Sequence, residues 1–145
     1  MKRLLLIISI LALVLTLVLL PIGCGIDVES MIRDNIEDAL EGLSADYTIK
    51  VGGTEGLNFS GEYVVVSAAY DPETWVVFSS DSYDVTGNVS KQYTVEDVIS
   101  VGGMFQKQAV NGTLEVEIWR GGDLIDSALT TVPWGAVLIT AIEGD

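Results

Sequence analysis

The chain has no histidine and a single cysteine, Cys24, among its 145 residues. Zinc sites built from His and Cys, and catalytic triads that need His as the base, are therefore excluded. One cysteine also rules out an intramolecular disulfide, although export would permit one. No serine has a histidine partner, and nothing singles out a catalytic pair among the 21 acidic residues. The sequence predicts a protein that is not an enzyme and that needs no cofactor or metal.

Basic residues are scarce, with seven Lys and Arg against 21 Asp and Glu and a formal net charge of −14. Two of the seven basic residues precede residue 4, whereas every acidic residue lies after residue 26. So acidic a surface repels nucleic acid phosphates and anionic lipid headgroups. We therefore predict no nucleic-acid partner, and we interpret the charge as that of a well-solvated exported surface.

Charge is also absent from a long apolar run near the N-terminus. Lys2 and Arg3 precede residues 4–20, which are apolar except for two hydroxyl side chains. A basic start, an apolar stretch and a small-residue end are typical of an export signal. The basic residues hold the N-terminus in the cytoplasm, so the remainder faces outward. We predict that residues 1–26 are a signal peptide or membrane anchor.

Cys24 lies just past this apolar run, and three roles for it stay open. The segment from Pro21 to Cys24 is similar to the Leu-Ala-Gly-Cys motif of bacterial lipoprotein signals, in which the cysteine is lipidated and becomes the new N-terminus. Alternatively, an uncleaved helix over residues 4–26 would span roughly 34 Å, enough for a bilayer core. Ordinary cleavage is the third alternative. The first two tether the domain to the outer face of the cytoplasmic membrane or to the cell surface.

Two patterns divide the rest of the chain. Residues 27–43 carry apolar side chains at spacings of three and four, which predicts a short amphipathic helix, with a linker reaching residue 46. Over residues 47–145 the pattern alternates with period two and is punctuated by Gly, Asn and Asp. This predicts an all-β domain, an antiparallel immunoglobulin-like β-sandwich.

Ten strands are expected, near residues 48–52, 57–59, 63–69, 75–79, 82–86, 91–95, 98–107, 113–120, 123–131 and 135–142. Gly121 and Gly122 predict a type I′ hairpin turn, and Asn111 and Gly112 predict a second hairpin. Trp119 and Trp134 are interpreted as packing residues. The expected core consists of Val64, Val66, Val76, Phe78, Phe105, Leu114, Val116, Ile118, Leu124, Val137 and Ile139.

Two kinds of candidate site occur in the β-rich part. Asn58, Asn88 and Asn111 begin Asn-X-Ser/Thr sequons, so they are glycosylation candidates in an exported domain, although such short motifs also arise by turn and strand composition alone. Acidic side chains also gather in expected loops, and carboxylates in adjacent loops can bind Ca²⁺. These weak calcium candidates are Asp71, Glu73, Asp81 and Asp84, and ordinary solvated turns are the alternative interpretation.

The order of segments over residues 47–142 resembles a known family. The stretch "YTIKVGGTEGLNFSGEYVVV" is followed by "VTGNVSKQYTVE" and then by "VISVGGMFQKQAVNGTLEVEIWRGGDLIDSALTTVPWGAVLIT". This order is similar to the exported domain of the mycobacterial MmpS-type transport accessory proteins. That family pairs two late cysteines, which this chain lacks, and has a Pro-Trp pair in mid-domain, where this chain has "NVSKQY". The resemblance implies a membrane-tethered β-sandwich that assists a membrane exporter.

Two functions follow as expectations. The first is a non-catalytic, extracytoplasmic binding or accessory module that is tethered to the membrane and assists a membrane protein. The alternative is a structural, acidic lipoprotein of the cell envelope, with or without glycans. An accessory role predicts an exposed apolar patch or sheet edge. A structural role predicts a uniformly acidic surface without such a patch.

Overall fold

The computed structural model describes residues 28–142. One helix, α1 (Val28–Glu41), precedes eight strands in this range, which confirms the predicted helix and the all-β class. The strands are β1 (Ala45–Gly53), β2 (Asn58–Asp71), β3 (Trp75–Asn88), β4 (Lys91–Val98), β5 (Ser100–Lys107), β6 (Leu114–Arg120), β7 (Asp123–Thr130) and β8 (Ala136–Ile142). The contacts divide the chain into two units after Ile36, and the core and surfaces described below belong to the unit Glu37–Asp145.

The eight strands form two four-stranded antiparallel sheets. Sheet A has the strand order β4-β1-β6-β7, and sheet B has the order β3-β2-β5-β8. Only β2–β3 and β6–β7 are hydrogen-bonded neighbours that follow each other in the chain. The other connections between strands pass from one sheet to the other, as in a sandwich.

The registers place the connections at two opposite ends of the sandwich. We call one the loop end: it holds the connections at residues 54–57, 89–90, 108–113 and 131–135, because the strand ends that flank them pair with one another. The other is the hairpin end, where the β2–β3 and β6–β7 turns lie and where β1 begins. The chain therefore enters β1 at the end opposite to these four connections.

The core lies between the inner faces of the two sheets, where alternate residues of β1, β2, β5, β6 and β8 supply most of the buried side chains. Phe105 is fully buried and its ring lies 6.3 Å from that of Phe59. The Phe105 ring also explains why residues 61 and 103 are glycines, because a methyl group on Gly61 or Gly103 would come within 2.8 Å of this ring. Such close approach admits no side chain, so both glycines provide space for an aromatic ring in the middle of sheet B.

Different contacts close the two open sides of the sandwich. On one side Tyr63 of β2 stacks against Tyr83 at 5.0 Å and contacts Tyr93 of β4 at 5.6 Å between ring centroids. Burial raises the pKa of Tyr63 and of Tyr93, and the neighbouring phenols add to the shift at Tyr63. On the other side the backbone N–H of Thr140 donates to Asp126 Oδ2 at 3.1 Å, so a side chain of sheet A caps the outer edge of β8.

The sequence predicts ten strands, whereas the structure has eight among the described residues. The expected strands at 57–59 and 63–69 are one continuous strand, β2, because Gly61 makes room for Phe105 rather than a turn. The strands expected at 75–79 and 82–86 are likewise one strand, β3, whose polar run lies on an exposed sheet edge. The Gly121 and Gly122 turn is confirmed, with φ of 57° and 97°.

The second expected hairpin was wrong. Gly112 has the positive φ of a turn residue, 88°, but β5 and β6 belong to different sheets. The segment 108–113 is therefore a crossover between sheets. The sequence predicts the local turn chemistry of this segment correctly, but not the pairing of the strands that flank it.

Three expected core residues are exposed. Val64 lies on the outer face, because the inner positions of β2 are Phe59, Tyr63 and Val65. Phe78 lies on the part of β3 that extends past the end of β5. A bulge next to Ile118 turns Leu124 outward as well. A shift of one residue moves a whole strand's side chains to the other face, which accounts for the error in β2.

Candidate functional site

The outer face of sheet B is almost free of charge. Residues directly opposite each other on neighbouring strands share a face, so the registers define this surface completely. Among the described residues its two charged side chains are Glu62 of β2 and Asp84 of β3, which are cross-strand partners. Elsewhere the face carries apolar side chains, Tyr70, Ser, Thr, one Gln and the paired Asn58 and Asn88. In a chain with 21 acidic residues, this is a local exception.

An apolar patch occupies the middle of this face. Val64, Gly102 and Thr140 form one cross-strand row, and Glu62, Met104 and Leu138 form the next. Met104 is 57% exposed and Leu138 is 72% exposed. Because Gly102 has no side chain, a shallow depression opens between these residues. We call Val64, Gly102, Met104 and Leu138 the apolar patch.

The outer face of sheet A has a different chemistry. Lys50 of β1 lies 4.0 Å above the ring of Trp119, and the indole Nε1 of Trp119 donates to Glu117 Oε2 at 2.7 Å. Lys50 and Glu117 are also cross-strand partners. The half-buried Trp119 therefore packs between one cationic and one anionic side chain of this face.

The structure does not assemble the calcium candidates into one site. Asp71 Oδ1 accepts hydrogen bonds from the backbone N–H groups of Glu73 and Thr74 and from the Thr74 hydroxyl, at 2.8 to 2.9 Å. These bonds hold the pKa of Asp71 below its ordinary value. Asp81 lies six residues beyond Trp75 along β3, about 20 Å at the usual strand rise. Among residues 28–142, no group of three acidic, Cys or His side chains is placed to hold a metal ion.

The three sequon asparagines lie together at the loop end. Asn58 and Asn88 are cross-strand partners at the start of β2 and the end of β3, and Asn111 lies in the β5–β6 crossover. All three are exposed, so each is accessible to a modifying enzyme. Their glycosylation stays a prediction.

Cys24 and the N-terminal segment that ends near it lie outside the described residues, so the alternatives for Cys24 stay open. Within residues 28–142 no helix has both the length and the apolar character needed to cross a bilayer.

Sequence reasoning missed the apolar patch and one buried lysine. Met104 and Leu138 were placed in strands without being assigned to a face. Lys107 is fully buried, and its Nζ donates to the carbonyl oxygens of Gly112 at 2.7 Å and Thr131 at 3.0 Å. The alternation in "MFQKQ" could have revealed both features, because an inward Phe105 implies an outward Met104 and an inward Lys107. No serine hydroxyl is among the bonded partners of Lys107 within residues 28–142.

No model of a known protein family and no curated protein matches the chain. The functional argument therefore depends on the geometry of the two outer faces and of the loop end.

Proposed function

We propose that this chain is a non-catalytic, extracytoplasmic module, tethered to the membrane by its N-terminal segment, that binds and assists a membrane protein. The observation that carries the proposal is the apolar patch on the outer face of sheet B, where Glu62 and Asp84 are the charged side chains among the described residues. Isolated apolar side chains are common on protein surfaces, but a contiguous patch within an otherwise acidic surface favours an interaction site.

The proposed partner is a protein rather than a lipid surface. Glu62 borders the depression, and Asp84 lies beside Glu62 on the neighbouring strand. Because the domain as a whole is also acidic, it would repel anionic lipid headgroups. A protein surface can present one apolar side chain to the hollow over Gly102 and a basic residue to Glu62. A tether at the membrane favours an integral membrane protein as this partner. The resemblance to MmpS-type proteins supports a transporter in that role.

Site-specific photocrosslinking in the native membrane tests the proposal. A photoreactive amino acid replaces Leu138 in one variant of the full-length chain. In the control variant it replaces Leu129, which is 63% exposed on the outer face of sheet A. We expect a discrete crosslinked membrane protein from position 138 and none from position 129. Equal crosslinking from both positions, or none from either, would count against the proposal.

The structural envelope lipoprotein is the second candidate, and the exposure of Asn58, Asn88 and Asn111 at a single end favours it. Intact mass spectrometry on chain extracted from its native membrane tests it, beside a Cys24→Ser variant. Hexose-rich added mass that disappears on Asn→Gln substitution would support the candidate. Acyl mass on a chain beginning at Cys24 would establish the lipid anchor. Mass that matches the polypeptide from Met1 would exclude both modifications.

A further inference from the structure

The loop end differs from the rest of the domain in charge. Its four connections contain one charged residue, Glu55. At the hairpin end, by contrast, acidic side chains flank each connection, including Glu41, Asp71 and Asp123. A ligand that binds at the loop end therefore needs no charge of its own, and an anionic ligand finds no exposed cationic cluster there.

Side-chain amides gather at this uncharged end. Five of the seven Asn and Gln residues of the chain lie there, namely Asn58, Asn88, Gln106, Gln108 and Asn111. Among residues 28–142, none of the three asparagine side chains at this end makes a hydrogen bond. Each amide offers both donors and an acceptor. Together they form a surface suited to a ligand with many hydroxyl groups.

Gln106 and Gln108 are held in place, yet their acceptor atoms stay open. Gln108 Nε2 donates to Ser60 Oγ at 2.6 Å, and Gln106 Nε2 donates to the carbonyl oxygen of Trp134 at 3.1 Å. Within the described residues neither amide oxygen accepts a hydrogen bond. The donors fix the orientation of both side chains, while the exposed oxygens remain able to accept bonds from a ligand.

Trp134, interpreted from the sequence as a packing residue, instead adds an exposed aromatic surface to the same end. It is 54% exposed and has a φ of 55°, a conformation that bulky residues rarely adopt. Its backbone N–H donates to the carbonyl oxygen of Ala109 at 3.1 Å, and the backbone N–H of the next residue, Gly135, donates to that of Val132. Trp75 shares the exposure and the positive φ, so what distinguishes Trp134 is its position among the side-chain amides.

Lys107 holds together the two loops that present these groups. Its ammonium group binds the β5–β6 crossover through the carbonyl oxygen of Gly112 and the β7–β8 connection through that of Thr131. Because Lys107 is fully buried, its charge is used inside the protein and is not offered to a ligand. The loops are therefore organised before any ligand arrives, which lowers the entropic cost of binding.

We propose that the loop end binds an uncharged saccharide, with the indole of Trp134 against the C–H face of a sugar ring and the nearby amides bonded to its hydroxyls. The negative face of an aromatic ring attracts weakly positive C–H groups, and amides match hydroxyls as donors and as acceptors. A lipid bilayer would satisfy the indole but would leave these amides without partners. The inference does not depend on the apolar patch of sheet B.

Isothermal titration calorimetry on the full-length chain tests the inference. The chain is kept in a detergent without sugar headgroups, since a glycosidic detergent would compete. The probes are neutral hexasaccharides of glucose, mannose and N-acetylglucosamine, with oligogalacturonate as the charged control. Trp134→Ala removes the ring and Trp134→Phe retains an aromatic face. Trp75→Ala is the matched control, because Trp75 is also exposed, at 46%, and also has a positive φ, 73°.

We expect at least one neutral hexasaccharide to bind and oligogalacturonate not to bind. Trp134→Ala should weaken binding by about tenfold or more, as expected for the loss of a central aromatic contact, with partial recovery in Trp134→Phe. Trp75→Ala should leave affinity unchanged. Failure of every neutral probe to bind, or equal effects of the two alanine variants, would overturn the proposal. Binding of the chain to phosphatidylcholine vesicles that requires Trp134 would also overturn it and assign the loop end to a membrane.

Discussion

The outer faces of the two sheets differ in whether their side chains contact neighbours within the domain or extend into solvent. On sheet A, Trp119 contacts both Lys50 and Glu117, so this aromatic side chain is engaged within the domain. On sheet B, Met104 and Leu138 extend into solvent around the hollow over Gly102, with no charged network covering them. Both faces expose apolar side chains, but on sheet A the exposed Leu124 and Leu129 lie opposite Trp119 and Glu115, whereas on sheet B the apolar patch surrounds an open hollow. We therefore assign the binding role to the outer face of sheet B and not to that of sheet A.

Neighbouring residues on β5 give the sharpest test of which side of sheet B supports the fold. Phe105→Ala should lower the free energy of unfolding by about 3–5 kcal/mol, because it empties a packed core position. Met104→Ala, one residue away on the outer face, should change it by less than about 0.5 kcal/mol. Urea unfolding followed by tryptophan fluorescence measures both. Similar losses from the two variants would contradict a β5 register in which Phe105 points inward and Met104 outward.

The buried Lys107 and the more exposed Lys50 allow the same comparison for charged side chains. Lys107→Met keeps an apolar stem but removes the ammonium that binds loop carbonyls, and it should cost about 1–3 kcal/mol. Lys50→Met removes a more exposed cation above Trp119 and should cost about 0.5–1 kcal/mol. The same urea experiment ranks them. A larger loss from Lys50→Met would show that the outer face of sheet A, and not the loop end, depends more on its lysine.

Alkaline pH should weaken the side of the sandwich that the tyrosines close. Tyr63 and Tyr93 have a raised pKa in the folded protein, relative to an ordinary value of 10.0. The folded state therefore retains phenol protons that the unfolded state loses, so the contribution of these two tyrosines to stability is fully present well below pH 10 and is lost as pH rises through and beyond it. Thermal unfolding measured from pH 8 to 11 checks this expectation.

A Tyr63→Phe, Tyr93→Phe double variant serves as the control for the alkaline effect. Without the two phenols, the decline in melting temperature above about pH 10 should become shallower. An unchanged decline would assign it to other groups and would count against the tyrosines as the cause.

The smallest expected effect on stability comes from filling the hollow of the apolar patch. Gly102→Val adds apolar surface, and its Cβ alone would lie 3.3 Å from Thr140 Cγ2, so Thr140 must move by a few tenths of an ångström. We expect a change of less than about 1 kcal/mol in unfolding free energy. Crosslinking from position 138 should nevertheless fall, because the partner's side chain no longer fits. Undiminished crosslinking would show that apolar character alone, without the hollow, recruits the partner.

The fold class could be predicted because period-two alternation is a local signal. The phase of that alternation could not be read reliably in β2, since Val64, Val65 and Val66 fit either face. Which residues of a strand face the core is decided by contacts distant in sequence. In β2 the deciding contact is the packing of Phe105 against Gly61. The same contact explains why the sequence predicts two strands, at 57–59 and 63–69, where Gly61 in fact lies inside one continuous strand.

The candidate site was harder to predict than the fold because exposure depends on that same phase. The expected core includes Phe105, Val137 and Ile139, so alternation places Met104 and Leu138 on the opposite faces of their strands. Only the pairing of β5 with β8 shows that the two side chains share one surface. The turn chemistry at Asn111 and Gly112 was evident, but the strand partners of β5 and β6 were not. The loop end could not be recognised as one surface before the strand order was known.

The size of the complex that the chain forms in native membranes tests the central claim most directly. Full-length wild type, Leu138→Asp and Leu129→Asp are each extracted in mild detergent and compared by native gel electrophoresis and mass photometry. Both substitutions add one carboxylate at an exposed leucine, on sheet B and sheet A respectively. We predict a larger assembly for wild type and for Leu129→Asp, and free chain for Leu138→Asp. An assembly that survives Leu138→Asp unchanged would contradict binding through the outer face of sheet B.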